Sequence, residues 1–119
     1  MKLTAVVLSL GLLTLGGCHI TNEYSATVDA YVNAESQIQL GMSPGAVARI
    51  LDPTQRLLDN KDRRRDERYL EGDSEVLIRF YRSGWQADGR LTDDEYTPYV
   101  FRDQRLVAVG WQMHRTAML

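Results

Sequence analysis

The chain contains a single cysteine, Cys18. No internal disulfide can restrict its unfolded state, so whatever it folds into is held by packing alone. That cysteine closes an N-terminal segment that reads Met1-Lys2, an apolar run from Leu3 to Leu15, then Gly16-Gly17. One positive charge before a short apolar run is the layout of a secretory signal. The run is about 13 residues, whereas a helix that crosses a bilayer needs roughly 20. A membrane-spanning anchor is the weaker reading.

Leu15-Gly16-Gly17-Cys18 resembles the lipobox of bacterial lipoproteins: a branched apolar residue, two small residues, then cysteine. Small residues let the peptidase approach the backbone, and only a thiol gives the thioether to diacylglycerol. The resemblance implies a diacylglycerol and an N-acyl chain (palmitate-like) on Cys18, and no other cofactor. Two or more acyl chains anchor a protein stably, where one does so only marginally. An unpaired cysteine in a secreted chain calls for an explanation, and lipidation supplies it. The competing readings are an ordinary cleaved signal with a chance cysteine, or a short anchor. His19 follows the cysteine where Asp commonly retains Gram-negative lipoproteins at the inner membrane. The resemblance therefore implies the outer membrane, periplasmic face.

Cleaving the first 17 of 119 residues leaves 102, enough for one domain with a small core and too few for two. Losing Lys2 moves the formal charge from −2 to −3, which gives no electrostatic case for a nucleic-acid partner. The expected organisation is a signal peptide over 1–17, a polar lipidated tether over 18–26, and one domain over 27–119.

The first half of that domain reads as helical. Val28, Tyr31, Val32, Glu35 and Ile38 recur at spacings of three and four, predicting a helix from Thr27 to Leu40 that stops at Gly41. Ser43 is a good N-cap, Pro44 occupies the first helical position, and Val47, Ile50 and Leu51 form an apolar stripe. Asp52-Pro53 ends this second helix. Its two turns require tertiary support.

The charged stretch from Thr54 to Asp66 reads as a loop or a ragged first strand, and Arg68-Tyr69-Leu70 as a possible piece of strand. Beyond it the pattern turns to β. From Glu75 to Arg82, Val76, Ile78 and Phe80 alternate with Leu77, Arg79 and Tyr81. A long loop from Ser83 to Glu95 follows. Two more strands, Thr97 to Arg102 and Arg105 to Met113, meet at Asp103-Gln104, a hairpin-length connection. Val100 opposes Tyr99 and Phe101; Leu106, Ala108 and Gly110 oppose Val107, Val109 and Trp111. Helices followed by a meander make an α+β domain: two N-terminal helices packed on a three-stranded antiparallel sheet.

The stretch from Leu40 to Pro53 resembles the BamE (SmpA/OmlA) family of outer-membrane lipoproteins, whose hallmark is a Gly-Met-Ser/Thr turn, a short helix with Val at mid-length, and a Leu-Gly-x-Pro-like exit. Gly41, Met42, Ser43, Val47 and Leu51 match. Asp52 stands where glycine is usual, and Pro53 comes one place early. Phe80-Tyr81-Arg82, Ala87-Asp88-Gly89, the run from Leu91 to Phe101, and Leu106 to Trp111 are similar to an uncharacterised group of proteobacterial lipoproteins with the same layout. Tyr96 stands where that group has a cysteine, so any thiol role there is absent. The resemblance implies the fold just described and, from BamE, a non-catalytic accessory of β-barrel insertion.

No nucleophile, phosphate-loop or dinucleotide motif occurs. His19 and His114 lack neighbours at metal-ligand spacing, so no metal site is expected. Asp88, Asp93, Asp94 and Glu95 crowd one loop without the alternation of a Ca²⁺-binding loop. They read as a soluble loop, with Asp93 or Asp94 paired to Arg90 or an arginine of the neighbouring strand; Glu95 to Pro98 set the start of the next strand. Arg63, Arg64 and Arg65 form a basic cluster for anionic headgroups or an acidic partner, weakened by the interleaved Asp62, Asp66 and Glu67. Trp85, Tyr96, Tyr99 and Trp111 are the aromatic candidates for a partner interface; for Trp111 the competing reading, core packing, is favoured.

The function expected from these readings is a non-enzymatic lipoprotein anchored at the outer membrane, acting as an accessory or scaffold through an envelope protein partner, in β-barrel assembly or envelope integrity. The alternative is a periplasmic binding module for a lipid, a peptidoglycan fragment or Ca²⁺.

Overall fold

The computed structural model describes residues 23–85 and 92–111. Cys18, the signal segment, Asp88, Arg90 and His114 lie outside these residues. Two helices, α1 (Glu23–Glu35) and α2 (Pro44–Leu51), precede four strands: β1 (Glu67–Glu71), β2 (Ser74–Arg82), β3 (Tyr96–Arg102) and β4 (Arg105–Val109). The strands form one antiparallel meander in the order β1-β2-β3-β4. The α+β class stands; the expected three-stranded sheet is corrected to four. β1 contains Arg68-Tyr69-Leu70, the possible piece of strand in the sequence; its signal there is weak because it is a short edge strand whose residues are mostly exposed, Leu70 among them. A charged, short edge protects a sheet from pairing with other chains, and it erases the apolar alternation.

Helix α2 forms where its local signals place it. The Ser43 hydroxyl accepts from Ala46 N at 3.1 Å, Pro44 opens the first turn, and Val47 and Leu51 are fully buried four residues apart. Such a cap is worth about 1 kcal/mol. Asp52-Pro53 ends the α-helix but not the winding, which tightens into a 3-10 turn over Asp52–Gln55. Proline at the start of this turn loses no hydrogen bond.

Helix α1 departs from the expected span at both ends. It starts at Glu23, so Glu23 to Ala26 are helix rather than tether, and it ends at Glu35 instead of Leu40. Its buried positions are Thr27 and Tyr31, with Ala34 packed beside the core, while Val32 is exposed. Thr27 can be buried because its hydroxyl donates to Glu23 O at 2.8 Å, satisfying itself within the helix. The chain leaves the helix early because the next segment is needed at the sheet. Gly41, at φ 91, donates to Leu106 O and Leu106 donates to Met42 O, both at 2.8 Å. The Gly-Met turn is thereby stitched to β4.

The main core lies between the helices and one sheet face: Tyr31, Val47 and Leu51 against Leu77, Tyr81, Tyr99, Phe101 and Leu106. The other face carries Val76, Ile78, Phe80, Val100 and Ala108, with Tyr96, Tyr69 and Trp111. Ala108 and Leu106 were expected on one face and lie on opposite ones. Phe101 pairs with Leu106 and Val100 with Ala108, which leaves Val107 as the extra residue of a β-bulge. The expected hairpin is present, with Asp103 at φ 47 and Gln104 at φ 69.

Candidate functional site

β2 ends at Arg82, and a knot of polar and aromatic groups gathers around it. Gln55, from the 3-10 turn after α2, treats this strand end as a ladder partner. Its Oε1 accepts from Arg82 N at 2.8 Å and its Nε2 donates to Arg82 O at 3.1 Å. The guanidinium turns inward, where Nη2 donates to Glu95 Oε2 at 2.5 Å and Nε to Gly84 O at 3.3 Å. The two side chains are only 2% and 1% exposed. Ser83 N and Gly84 N both donate to Glu95 O, so Glu95 also closes the β2–β3 connection through its backbone. That agrees with the expected role at the start of β3. Arg82 Nη1 and Glu95 Oε1 have no hydrogen-bond partner among the described residues.

Helix α1 is clasped to this knot by Tyr24. Its ring lies 4.5 Å from the Arg82 guanidinium and stacks on Trp85 at 5.8 Å and 16°. Its hydroxyl donates to Asp62 Oδ1 at 3.1 Å, and this bond raises the Tyr24 pKa above the ordinary value. Asp62 is buried, and its carbonyl accepts from Tyr96 Oη at 2.7 Å. One residue thus holds both α1 and β3 to the segment that leads into the arginines.

The arginine cluster follows directly. Arg63 gives Nη2 to Gln55 O at 2.7 Å and Nε to Leu58 O at 3.3 Å, which fixes its direction without neutralising its charge. Arg64 lies over the rings of Phe80 and Trp111 at 4.2 and 5.1 Å and pairs with Asp93. Arg65 is exposed. The three border a cleft of about 300 Å³ together with Asn60. Adjoining it, a cleft of about 200 Å³ extends to Asp52, Arg79 and Tyr81.

Several sequence expectations need correction at this point. Tyr96 and Tyr99, offered as interface aromatics, are 5% and 1% exposed. Their hydroxyls point into the domain, Tyr96 to Asp62 O and Tyr99 to Tyr31 Oη at 2.6 Å, so the polar tip that suggested a surface is satisfied inside. Trp85 keeps 40% exposure. Trp111 packs on Phe80 at 5.7 Å and its indole donates to Tyr96 O at 2.9 Å, in keeping with a core role. The acidic loop is divided: Glu95 is drawn inside, Asp93 pairs with Arg64, and Asp94 accepts from the Thr92 hydroxyl. Among the described residues no group of three or more His, Cys, Asp or Glu is placed to hold a metal ion. Also among them, no helix is long and apolar enough to cross a membrane.

Sequence reasoning did not single out Tyr24 or Gln55, and it placed Arg82 only at a strand end and Glu95 only in an acidic loop before a strand, not as a pair. The available signal was weak: an arginine closing a strand and a glutamate opening the next, 13 residues apart.

A second feature lies at the far end of α1. A cleft of about 380 Å³ between the end of that helix and β4 is lined by Val32, Glu35, Ser36, Ile38, Tyr99 and Val109. Val32 and the bulge residue Val107 are 53% and 38% exposed.

These elements define a small α+β domain, two helices on one face of a four-stranded antiparallel meander. The chain belongs to the family described as "Protein of unknown function (DUF3192)", which matches residues 31–116. No curated protein and no solved structure matches it.

Proposed function

We propose that this chain is a lipid-anchored accessory of the bacterial envelope, held by Cys18 at the periplasmic face of the outer membrane, and that it works by protein contact and not by chemistry of its own. The process implied by the BamE-like turn and helix is β-barrel assembly or envelope integrity. The observation that carries the reading is the cleft between α1 and β4. It sets the exposed Val32 and the half-buried Ile38 from the helical side beside the half-buried Val109 of the last strand of the sheet. Gly41 and Met42 already occupy the β4 edge at Leu106, and beyond it the edge next to the apolar cleft suits a short extended segment that adds to the sheet and seats alternate side chains. The partner is accordingly an extended, alternately apolar segment of another envelope protein.

Photo-crosslinking side chains placed at Val32 and at Val107 in cells test this. A discrete protein adduct is expected from both, and none from Asp73 in the β1–β2 turn. Adducts no stronger at Val32 and Val107 than at Asp73 would count against the reading. The anchor is tested separately: Cys18→Ala is expected to release the protein from the membrane fraction.

A further inference from the structure

Among the described residues Lys61, Arg63 and Arg65 form no ion pair with a carboxylate, and their segment is tied through Asp62 to the end of α1 that leads back to Cys18. We propose that the face carrying Lys61, Arg63, Arg65 and Trp85 lies against the membrane surface that holds Cys18, with its basic side chains on the phosphates of anionic phospholipid headgroups. This rests on the lipid-anchor reading above and adds to it an orientation and a ligand chemistry.

Reach comes first. Tyr24 is fixed to Trp85, Arg82 and Asp62. Only six residue steps separate it from Cys18. At ~3.3–3.6 Å per residue a fully extended chain covers about 20 Å. Asp62 directly precedes Arg63, so the arginine segment is tied to the same point and cannot stand far from the bilayer.

Charge comes second. In the sequence the acids between the arginines offset them; the fold buries one of those acids and pairs another with an arginine of β2. Asp62 is buried against Tyr24, and Asp66 turns to Arg79, with Nη2 to Oδ2 at 3.0 Å. The ion pairs of the described residues engage Arg64, Arg68, Arg79, Arg82 and Arg102. Lys61, Arg63 and Arg65 are exposed and take part in none of them. Among the described residues the cleft of about 300 Å³ is lined by Asn60, Arg63, Arg64 and Arg65 without a carboxylate, while the adjoining clefts bring Asp66, held by Arg79, and Asp93, held by Arg64, beside them. Arg63 is already aimed by the Gln55 and Leu58 carbonyls, so less side-chain freedom is lost when it meets a phosphate.

Trp85 is the third element. Its ring stacks on Tyr24 and it keeps 40% exposure, the disposition of an aromatic at a headgroup boundary. Each well-placed basic side chain near an anionic surface strengthens attachment about fivefold, so three give on the order of a hundredfold. The orientation also serves the proposed function. The 13 residues of α1, at ~1.5 Å each, set the apolar cleft about 18 Å further along the helix, at the end away from the tether.

The test uses the lipidated full-length protein reconstituted into vesicles of phosphatidylcholine, alone or with phosphatidylglycerol, containing lipid brominated near the headgroup. Flotation reports the anchor, and tryptophan quenching, assigned with Trp85→Phe, reports the orientation. Expected is strong quenching of Trp85 in phosphatidylglycerol vesicles, at least halved by high salt or by Lys61→Glu with Arg65→Glu. Both positions are exposed and unpaired, so that variant keeps the fold, as its circular dichroism would record. Protein that floats without Trp85 quenching overturns this proposal alone, and equal quenching in both lipids overturns its headgroup chemistry. Protein that does not float overturns the anchor and this proposal with it.

Discussion

Arg82 and Glu95 face each other across the β2–β3 connection with Nη2 and Oε2 2.5 Å apart, and neither side chain reaches solvent. The pair joins the end of one central strand to the start of the next, while Tyr24 and Tyr96 cover the guanidinium from α1 and β3. Breaking such a pair by removing one partner leaves a buried charge uncompensated and costs about 3–5 kcal/mol. Glu95→Gln and Arg82→Met are each expected to lower stability by that order in urea denaturation. Arg82→Met with Glu95→Leu removes both charges and is expected to recover most of the loss. A double variant as unstable as the sum of the singles would show that the two charges do not act as a pair.

The turn between β3 and β4 has room for improvement. Asp103 and Gln104 both adopt positive φ, and Asp103 also caps Glu75 N through its carboxylate at 2.9 Å. Gln104, at φ 69, carries the cost of a side chain in the left-handed region. Gln104→Gly is expected to stabilise the domain by about 0.5–1 kcal/mol, read as a rise in thermal midpoint. Asp103→Gly is expected to gain less or to lose, because it gives up the bond to Glu75.

The cap of α2 offers a local check. Ser43→Ala removes the acceptor for Ala46 N and is expected to cost about 1 kcal/mol, while Ser43→Asp retains it. Chemical denaturation of the three proteins side by side decides the matter.

Burial raises the pKa of Tyr31, Tyr69, Tyr81, Tyr96 and Tyr99 above the ordinary tyrosine value, with Tyr31 adding to the effect at Tyr99 and Asp52 at Tyr81. The unfolded chain therefore releases these protons at lower pH than the folded one. Stability is fully present below about pH 10, the unfolded tyrosine value, and falls as pH rises beyond it towards the folded values. Denaturation midpoints measured from pH 8 to 11 are expected to stay level and then drop. Tyr81→Phe and Tyr99→Phe together should flatten the drop, at the cost of the bonds to Asp52 and Tyr31.

Much of the architecture was legible because its causes act over a few residues. Ser43 caps a nitrogen three residues on, Pro44 fits a first turn wherever it stands, and the alternation from Val76 to Tyr81 follows from the two-residue period of a strand. The connection at Asp103-Gln104 announced a hairpin by its length. The α+β class and the helix that carries Gly41, Ser43, Val47 and Leu51 follow from such signals alone.

What only the tertiary structure decided was which distant groups meet. Thr27 became a core residue because it satisfies its own hydroxyl, and Val32 was left outside because the inward seam of α1 runs through Tyr24, Thr27, Tyr31 and Ala34. Val107 bulges and sends Leu106 and Ala108 to opposite faces, which no alternation rule foresees. Glu95, one acid among several in a loop, became half of a buried pair. Asp62 was buried against Tyr24 and Asp66 was engaged by Arg79, so neither pairs with the arginines beside it in the chain. Periodicity and capping are local and can be read from the chain. Charge balance at a surface depends on which carboxylates turn inward, and that is set only when helices and sheet close on one another.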